Sequence, residues 1–329
     1  SQFAAPHPNR RSPRVTDSSL AELSDNLFSV SVALYSVALL AFCAQLAFGR
    51  RVARGRELAA VGAGATVAPP LDTGDAPAET PRGNRWGLAA IGLTVLGALA
   101  HAGILVTRGM ATDRLPWGNM YEFATAVVLV AVVAYVVLAV RTPNLRHIGV
   151  FVLGPVVLSL VAIGLGLYTE AAPVVAALRS SWLAIHVTAA IIGFGVFMVS
   201  GIAAALYLVK ARPGADEGGG VVSRMPAAAT LDRVAHRTAV LGFPIWTFAV
   251  IAGAIWAEAA WGRFWGWDPK ETWSFVAWVV YAAYLHARTT SGWRGRKAAW
   301  VNVVGLAVMI FNLTFVNLVS SGLHSYAGV

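Results

Sequence analysis

Six of the twelve tryptophans in this chain fall between positions 256 and 278, in the run WAEAAWGRFWGWDPKETWSFVAW. Indole faces give broad apolar contact and stack in offset geometry, so Trp261, Trp265 and Trp267 read as a platform for a large planar ligand. Gly262 and Gly266 would let backbone approach it closely. A blander reading is an interfacial belt, since Trp favours membrane–water boundaries on its own account. A belt spreads a few Trp around a bundle, however, and does not call for three in one loop. Asp268, Pro269 and Glu271 stand at N-cap, N1 and N3 of a helix, so part of the run is capping chemistry. Arg263 and Lys270 are either partners for anionic groups of the ligand or ordinary interfacial charges.

The elements that must position these residues follow from composition. The 329 residues are 57% hydrophobic and 12% charged. Soluble domains carry about 25% charged residues, so an ordinary globular protein is excluded and disorder is disfavoured. A helix crosses a bilayer with about 20 apolar residues. Eight such runs lie near Leu27 to Phe48, Trp86 to Val106, Phe123 to Val140, Ile148 to Tyr168, Trp182 to Val209, Ala239 to Trp256, Trp273 to Ala287 and Ala298 to Ser320. The expected fold is all-α and polytopic, with a polar tail over 1–25, a transmembrane domain over 26–329, and within it a flexible loop over 49–85 and the Trp loop over 257–272.

The net charge of +9 is an orientation signal. Arg50, Arg51, Arg54, Arg56, Arg82 and Arg85 follow the first span, Arg141 and Arg146 the third, Lys210 to Arg237 the fifth, and Arg288 to Lys297 the seventh. Basic loops stay on the cytoplasmic side, which puts both termini and the Trp loop outside the cell membrane and leaves no case for nucleic acid as a partner beyond membrane lipid. The single Cys43 excludes a disulfide framework and reads as packing. There is no CxxCH, no phosphate-binding Gly-rich loop, and no Ser-His-Asp or Cys-His arrangement, so no catalytic side chain is assigned.

Depth then sorts the seven histidines. His7 is in the tail; His147 and His236 stand among cytoplasmic arginines, where a solvated role is the default. His186 and His324 reach the external level of the Trp loop from separate spans. Two imidazoles at one level can supply both axial ligands of an iron whose macrocycle stacks on the Trp platform. Haem suits the set better than zinc, because aromatics rather than Cys and carboxylates accompany the histidines. Quinone is the rival planar ligand and leaves the paired histidines unexplained. His286, 13 residues past Trp273, lies roughly 20 Å deeper, where an ionisable side chain is a functional candidate unless it snorkels beside Arg288. His101 is as readily a hydrogen-bonding partner of a neighbouring helix as a ligand.

WGRFWGWDPKETW resembles the WWD signature of haem-handling membrane proteins. The span count, the histidine on each side of the signature and PWGNMYEF most resemble the CcsA or ResC branch, of the system II cytochrome c maturation pathway. The resemblance implies haem b as cofactor, His186 and His324 as its external ligands and His286 as a transmembrane ligand, with Trp261, Trp265, Trp267, Asp268 and Trp273 in the signature. It also implies a CcsB or ResB type membrane partner bringing a second transmembrane histidine, a thioredoxin-like thiol reductant, and apocytochrome c, whose CxxCH thiols receive the haem. The chain would then be part of a holocytochrome c synthase. Two alternatives stay open: a CcmC-like haem exporter or chaperone without attachment, and a quinone- or haem-linked electron-transfer subunit. PWGNMYEF has its own bland reading, with Asn119 and Glu122 at capping spacing and Trp117 and Tyr121 suited to the interface. Glu170 and Glu258 are external and would line an entry for the apoprotein.

Overall fold

A computed structural model of the chain describes residues 17–48, 81–173, 180–215, 220–320 and 322–323. Long apolar stretches without water can satisfy their backbone only within a helix, and the described residues contain no strand. Eight long helices run in order: α1 (Ser18–Phe48), α2 (Pro81–Thr112), α3 (Met120–Arg141), α4 (Gly149–Gly166), α5 (Ser181–Lys210), α6 (Ala228–Trp261), α7 (Pro269–Thr289) and α8 (Arg296–Leu313), followed by the short α9 (Phe315–Leu318). Seven of them are long and apolar enough to cross a membrane. The one that falls short is α7, which holds Lys270, Glu271, His286 and Arg288 within its 21 residues. It nonetheless packs between α6 and α8 and runs the same course.

The helices overshoot the apolar runs. The first starts at Ser18, inside the stretch assigned to a polar tail, and α6 reaches from Ala228 to Trp261 rather than from Ala239 to Trp256. A hydropathy window reads bilayer thickness, whereas a helix continues into polar turns wherever its backbone bonds are satisfied. The expected loop over 49–85 falls outside the described residues through position 80, and its last residues open α2. Cys43 is exposed on α1, contrary to a packing role.

Connections alternate between two ends. The Trp end gathers the turns after α2, α4 and α6, and the basic end those after α3, α5 and α7. Two packing units result. In the first, Tyr35 and Phe42 of α1 pack with Tyr135 of α3 and Leu153 and Leu160 of α4. In the second, Phe194 and Phe197 of α5 pack with Trp246 and Trp256 of α6 and Tyr281 of α7. The third helix belongs to both, and Gly195 is where it meets α5. A Cβ there would stand 2.6 Å from Val130 and 3.1 Å from the Val127 carbonyl, so only glycine admits that approach.

Candidate functional site

The first turns of α5 deliver His186 to the Trp end. Its Nδ1 lies 2.8 Å from the Ala249 carbonyl of α6. A carbonyl only accepts, so Nδ1 carries the proton and donates, and Nε2 holds the lone pair. The ring lies parallel to Trp256, centroids 6.2 Å apart and planes 9° apart. Beneath it sits Gly253, one turn beyond Ala249; a Cβ there would come within 2.6 Å of Cε1 and 2.7 Å of Nδ1. Carbonyl, indole and bare backbone together fix the imidazole in one orientation, the arrangement that metal-binding histidines use.

His186 lines a partly open cavity at the Trp end. Its apolar wall comes from Phe123 of α3, Phe194 of α5, Trp246 of α6 and Trp265 of the Trp loop. The lining also includes four polar residues, Lys270, Glu271 and Ser274 of α7 and Asn312 of α8. Two acceptors there, Glu271 Oε1 and Asn312 Oδ1, are buried with no hydrogen-bond partner. Lys270 stands in the loop-end turn of α7. Its Nζ donates to Asn317 Oδ1.

The tryptophans of the run divide. Trp265 faces the cavity. Trp261 stands edge-on to Trp256 at 4.7 Å, one layer behind His186. Trp267 is 64% exposed, holds a left-handed backbone (φ 57°), and touches the edges of Trp265 and Phe275. Trp273 packs on Phe311 of α8. Gly262 ends α6 at φ 71°, its N–H bonded to Glu258 O. Asp268 caps α7 as its spacing predicts: Oδ1 accepts from Lys270 N–H at 2.9 Å, and Glu271 Oε2 accepts from the Asp268 and Gly266 N–H groups. The second oxygen of Asp268 accepts from Leu323 N–H at 2.8 Å.

The other histidines lie elsewhere. His286 is exposed on the outer face of α7 near the basic end, 17 residues along from Pro269 and so about 25 Å away. His101 is fully buried between α1 and α3; its Nε2 donates to Thr125 O and its Nδ1 accepts from Tyr35 Oη, so both nitrogens are engaged in packing. His236 packs on Tyr284 rather than standing in solvent. His324 lies outside the described residues.

PWGNMYEF turns out to be an anchor. Asn119 caps α3 as expected, accepting from Glu122 N–H at 2.9 Å. The Glu122 carboxylate is fully buried and holds the bidentate Arg114 guanidinium at 2.7 and 2.9 Å, the Gly118 N–H at 2.7 Å, and Arg108 Nε at 3.4 Å. Tyr121 is buried under Arg108, whose guanidinium lies 4.5 Å from the ring centroid, so it is no interfacial residue. This knot fixes the residue beside Phe123 of the cavity wall. Sequence reasoning missed Phe123, Phe194, Trp246 and Asn312, which sit on four different helices.

Gly253→Ala is expected to push His186 off the Ala249 carbonyl and to cost about 1–3 kcal/mol by overpacking. Thermal unfolding reads the cost, and an unchanged melting temperature would show that the ring yields freely.

The sequence model described as cytochrome c assembly protein matches residues 117–324. A cytochrome c biogenesis protein CcsA of Gloeobacter violaceus is 32% identical over 289 residues, covering 71% of this chain and 85% of its own. The CcsA of Guillardia theta is 34% identical over 255 residues, with 71% and 84% covered. Among solved structures, a cytochrome c haem lyase CcmF superposes with a TM-score of 0.60 over 99% of this chain and half of its own, at 18% identity, which speaks to fold alone.

Proposed function

From its membership of the cytochrome c assembly protein family, to which the matches show this chain belongs, we propose that the chain binds haem b at the Trp end and presents it for attachment to apocytochrome c. The observation that carries this reading is the fixed His186 imidazole, its Nε2 lone pair set by the Ala249 bond, at the wall of a mostly apolar, partly open cavity lined by aromatic rings. His186 and His324 would ligate the iron, and Trp265, Trp246 and Phe194 would confine the ring. When bound, haem supplies the vinyl groups to which the two CxxCH thiols add. The chain's contribution is positioning: it orients the iron, keeps water from the ring faces and leaves one edge open to the incoming peptide. No side-chain nucleophile is required.

The basic end supports an orientation. Arg141, Arg146, Lys210, Arg233, Arg237, Arg288 and Arg294 lie there, which favours the cytoplasmic side of the cell membrane for that end and the outside for the Trp loop. His286 then stands at the cytoplasmic half on a face of α7 that is exposed among the described residues. We assign it to a transmembrane site completed by a histidine of a CcsB or ResB type partner, through which haem is handed outward. A thioredoxin-like reductant would keep the substrate thiols reduced.

The test is coexpression of the chain, its partner and a CxxCH apocytochrome. Covalent haem on the apocytochrome, lost in His286→Ala, is the expected result. Haem on the complex with no covalent product would favour a CcmC-like exporter or chaperone, and a haem-free complex would sink the proposal.

A further inference from the structure

Four polar side chains share the cavity of His186 with the aromatic rings, and their hydrogen bonds do not close. Glu271 is 8% exposed; its Oε2 accepts from the Gly266 and Asp268 N–H groups at 2.9 and 3.1 Å, while its Oε1 is buried with no partner. Asn312 of α8 is 5% exposed and in the same condition: Nδ2 donates to Ser274 Oγ at 3.1 Å, and Oδ1 has no partner. Ser274 brings the two together. It stands three residues after Glu271, on the same face of α7, and it is the residue that Asn312 bonds. Its Oγ already accepts from Asn312, which leaves the hydroxyl hydrogen to donate. Lys270 adds an ammonium that only donates.

A buried acceptor without a donor costs its full desolvation, so two of them at one cavity, from different helices, call for a ligand that brings the donor. The rest of the lining narrows its class. Phe194, Trp246 and Trp265 suit a flat apolar body. Quinone carbonyls, esters and ionised carboxylates only accept, and an ionised carboxylate would also set like charge against Glu271. A neutral carboxyl answers the whole set: its O–H serves Glu271 Oε1 or Asn312 Oδ1, and its C=O takes the hydrogen of Ser274 or Lys270. We propose that Glu271, Ser274 and Asn312 form a carboxyl-recognition subsite that takes an acid side chain of a planar tetrapyrrole with its proton on. This rests on the haem site proposed above and deepens it, because haem b carries its two propionic groups on the edge opposite its vinyl groups. Holding the acid edge at α7 and α8 turns the vinyl edge away from them, so the subsite decides which edge is offered to the peptide.

The probes are haem b and its dimethyl ester, which has the same ring, iron and vinyl groups but no O–H. Each is titrated into the full chain in detergent and read by quenching of tryptophan fluorescence, for wild type, Glu271→Gln and Asn312→Leu. Glutamine keeps an oxygen for the Gly266 and Asp268 N–H groups and presents an NH₂ in place of Oε1, and leucine removes the second acceptor at similar size. Both probes are compared within one variant, so a general loss of fold cancels in their ratio.

The expected result is that wild type binds the free acid about tenfold to a hundredfold more tightly than the ester, the factor that one unpaired buried acceptor is worth. The ratio should fall toward one in Glu271→Gln, and by a smaller factor in Asn312→Leu. A ratio near one in wild type, the outcome if water alone serves these acceptors, overturns the subsite. A ratio unchanged in both variants overturns it as well, since the preference would then come from charge elsewhere. Wild type that binds neither probe overturns the haem reading and the subsite with it, whereas binding without discrimination removes the subsite alone.

Discussion

His186→Ala is expected to lower haem occupancy of the complex by more than about tenfold, with loss of the bis-histidine absorption signature. The size of the effect follows from how much of the structure is spent on that ring. The Ala249 carbonyl selects the tautomer, Trp256 sets the plane, and Gly253 keeps the space beneath it clear. Alanine removes the donor and leaves all three supports in place, so the fold is kept and the ligand is not. The Ala249 carbonyl retains its own helical position, which limits the structural penalty. Haem content per chain, measured by absorption after purification with the partner, checks it. Occupancy equal to wild type would mean that the cavity holds its ligand without His186, and the axial role would have to be abandoned.

Glu122→Ala is expected to destabilise the protein by about 3–5 kcal/mol, the range for breaking a buried ion pair by removing one partner. Glu122 is fully buried, and two guanidiniums, from Arg108 and Arg114, converge on it. Arg108 is itself 1% exposed, its nearest other acid being Asp25 at 3.9 Å. Deleting the carboxylate leaves two cations facing one another where water cannot screen them. Glu122→Gln keeps the shape and an acceptor oxygen and should cost less. Thermal unfolding in detergent reads both variants. Equal melting temperatures for wild type and Glu122→Ala would show that the guanidiniums find other partners.

Much of this was legible in the residues. Apolar run length located the eight helices, because the bilayer fixes how many residues must cross it. The Asp268–Pro269–Glu271 cap is local chemistry within four residues, and it forms as the spacing indicates. His101 bonded to its neighbours, one of the two roles its sequence context left open. What stayed hidden needs tertiary information. Helices that are apolar all round show no periodic face, so nothing in the sequence marks Phe123, Phe194 or Trp246 as turned toward one cavity. Glu122 looked like a capping residue because the cap is three residues away, whereas its main partners arrive from the end of α2 and the turn after it. The tryptophan cluster was visible as a group, but the division of labour within it was not. Trp265 lines the cavity, Trp261 backs His186, and Trp267 and Trp273 face elsewhere.

The modest hydropathy of α7 bears on how the chain enters its membrane. A segment holding Lys270, Glu271, His286 and Arg288 gains little from lipid, and charged residues cost a few kcal/mol each when an isolated helix is inserted. Its neighbours α6 and α8 are long and apolar enough to insert unaided. The seventh helix is therefore the one recruited by protein contact, Arg288 meeting Asp232 of α6 and Ser274 meeting Asn312 of α8. The Trp loop is strung between α6 and α7, so the cavity that Trp265 lines is complete only once the seventh helix has docked.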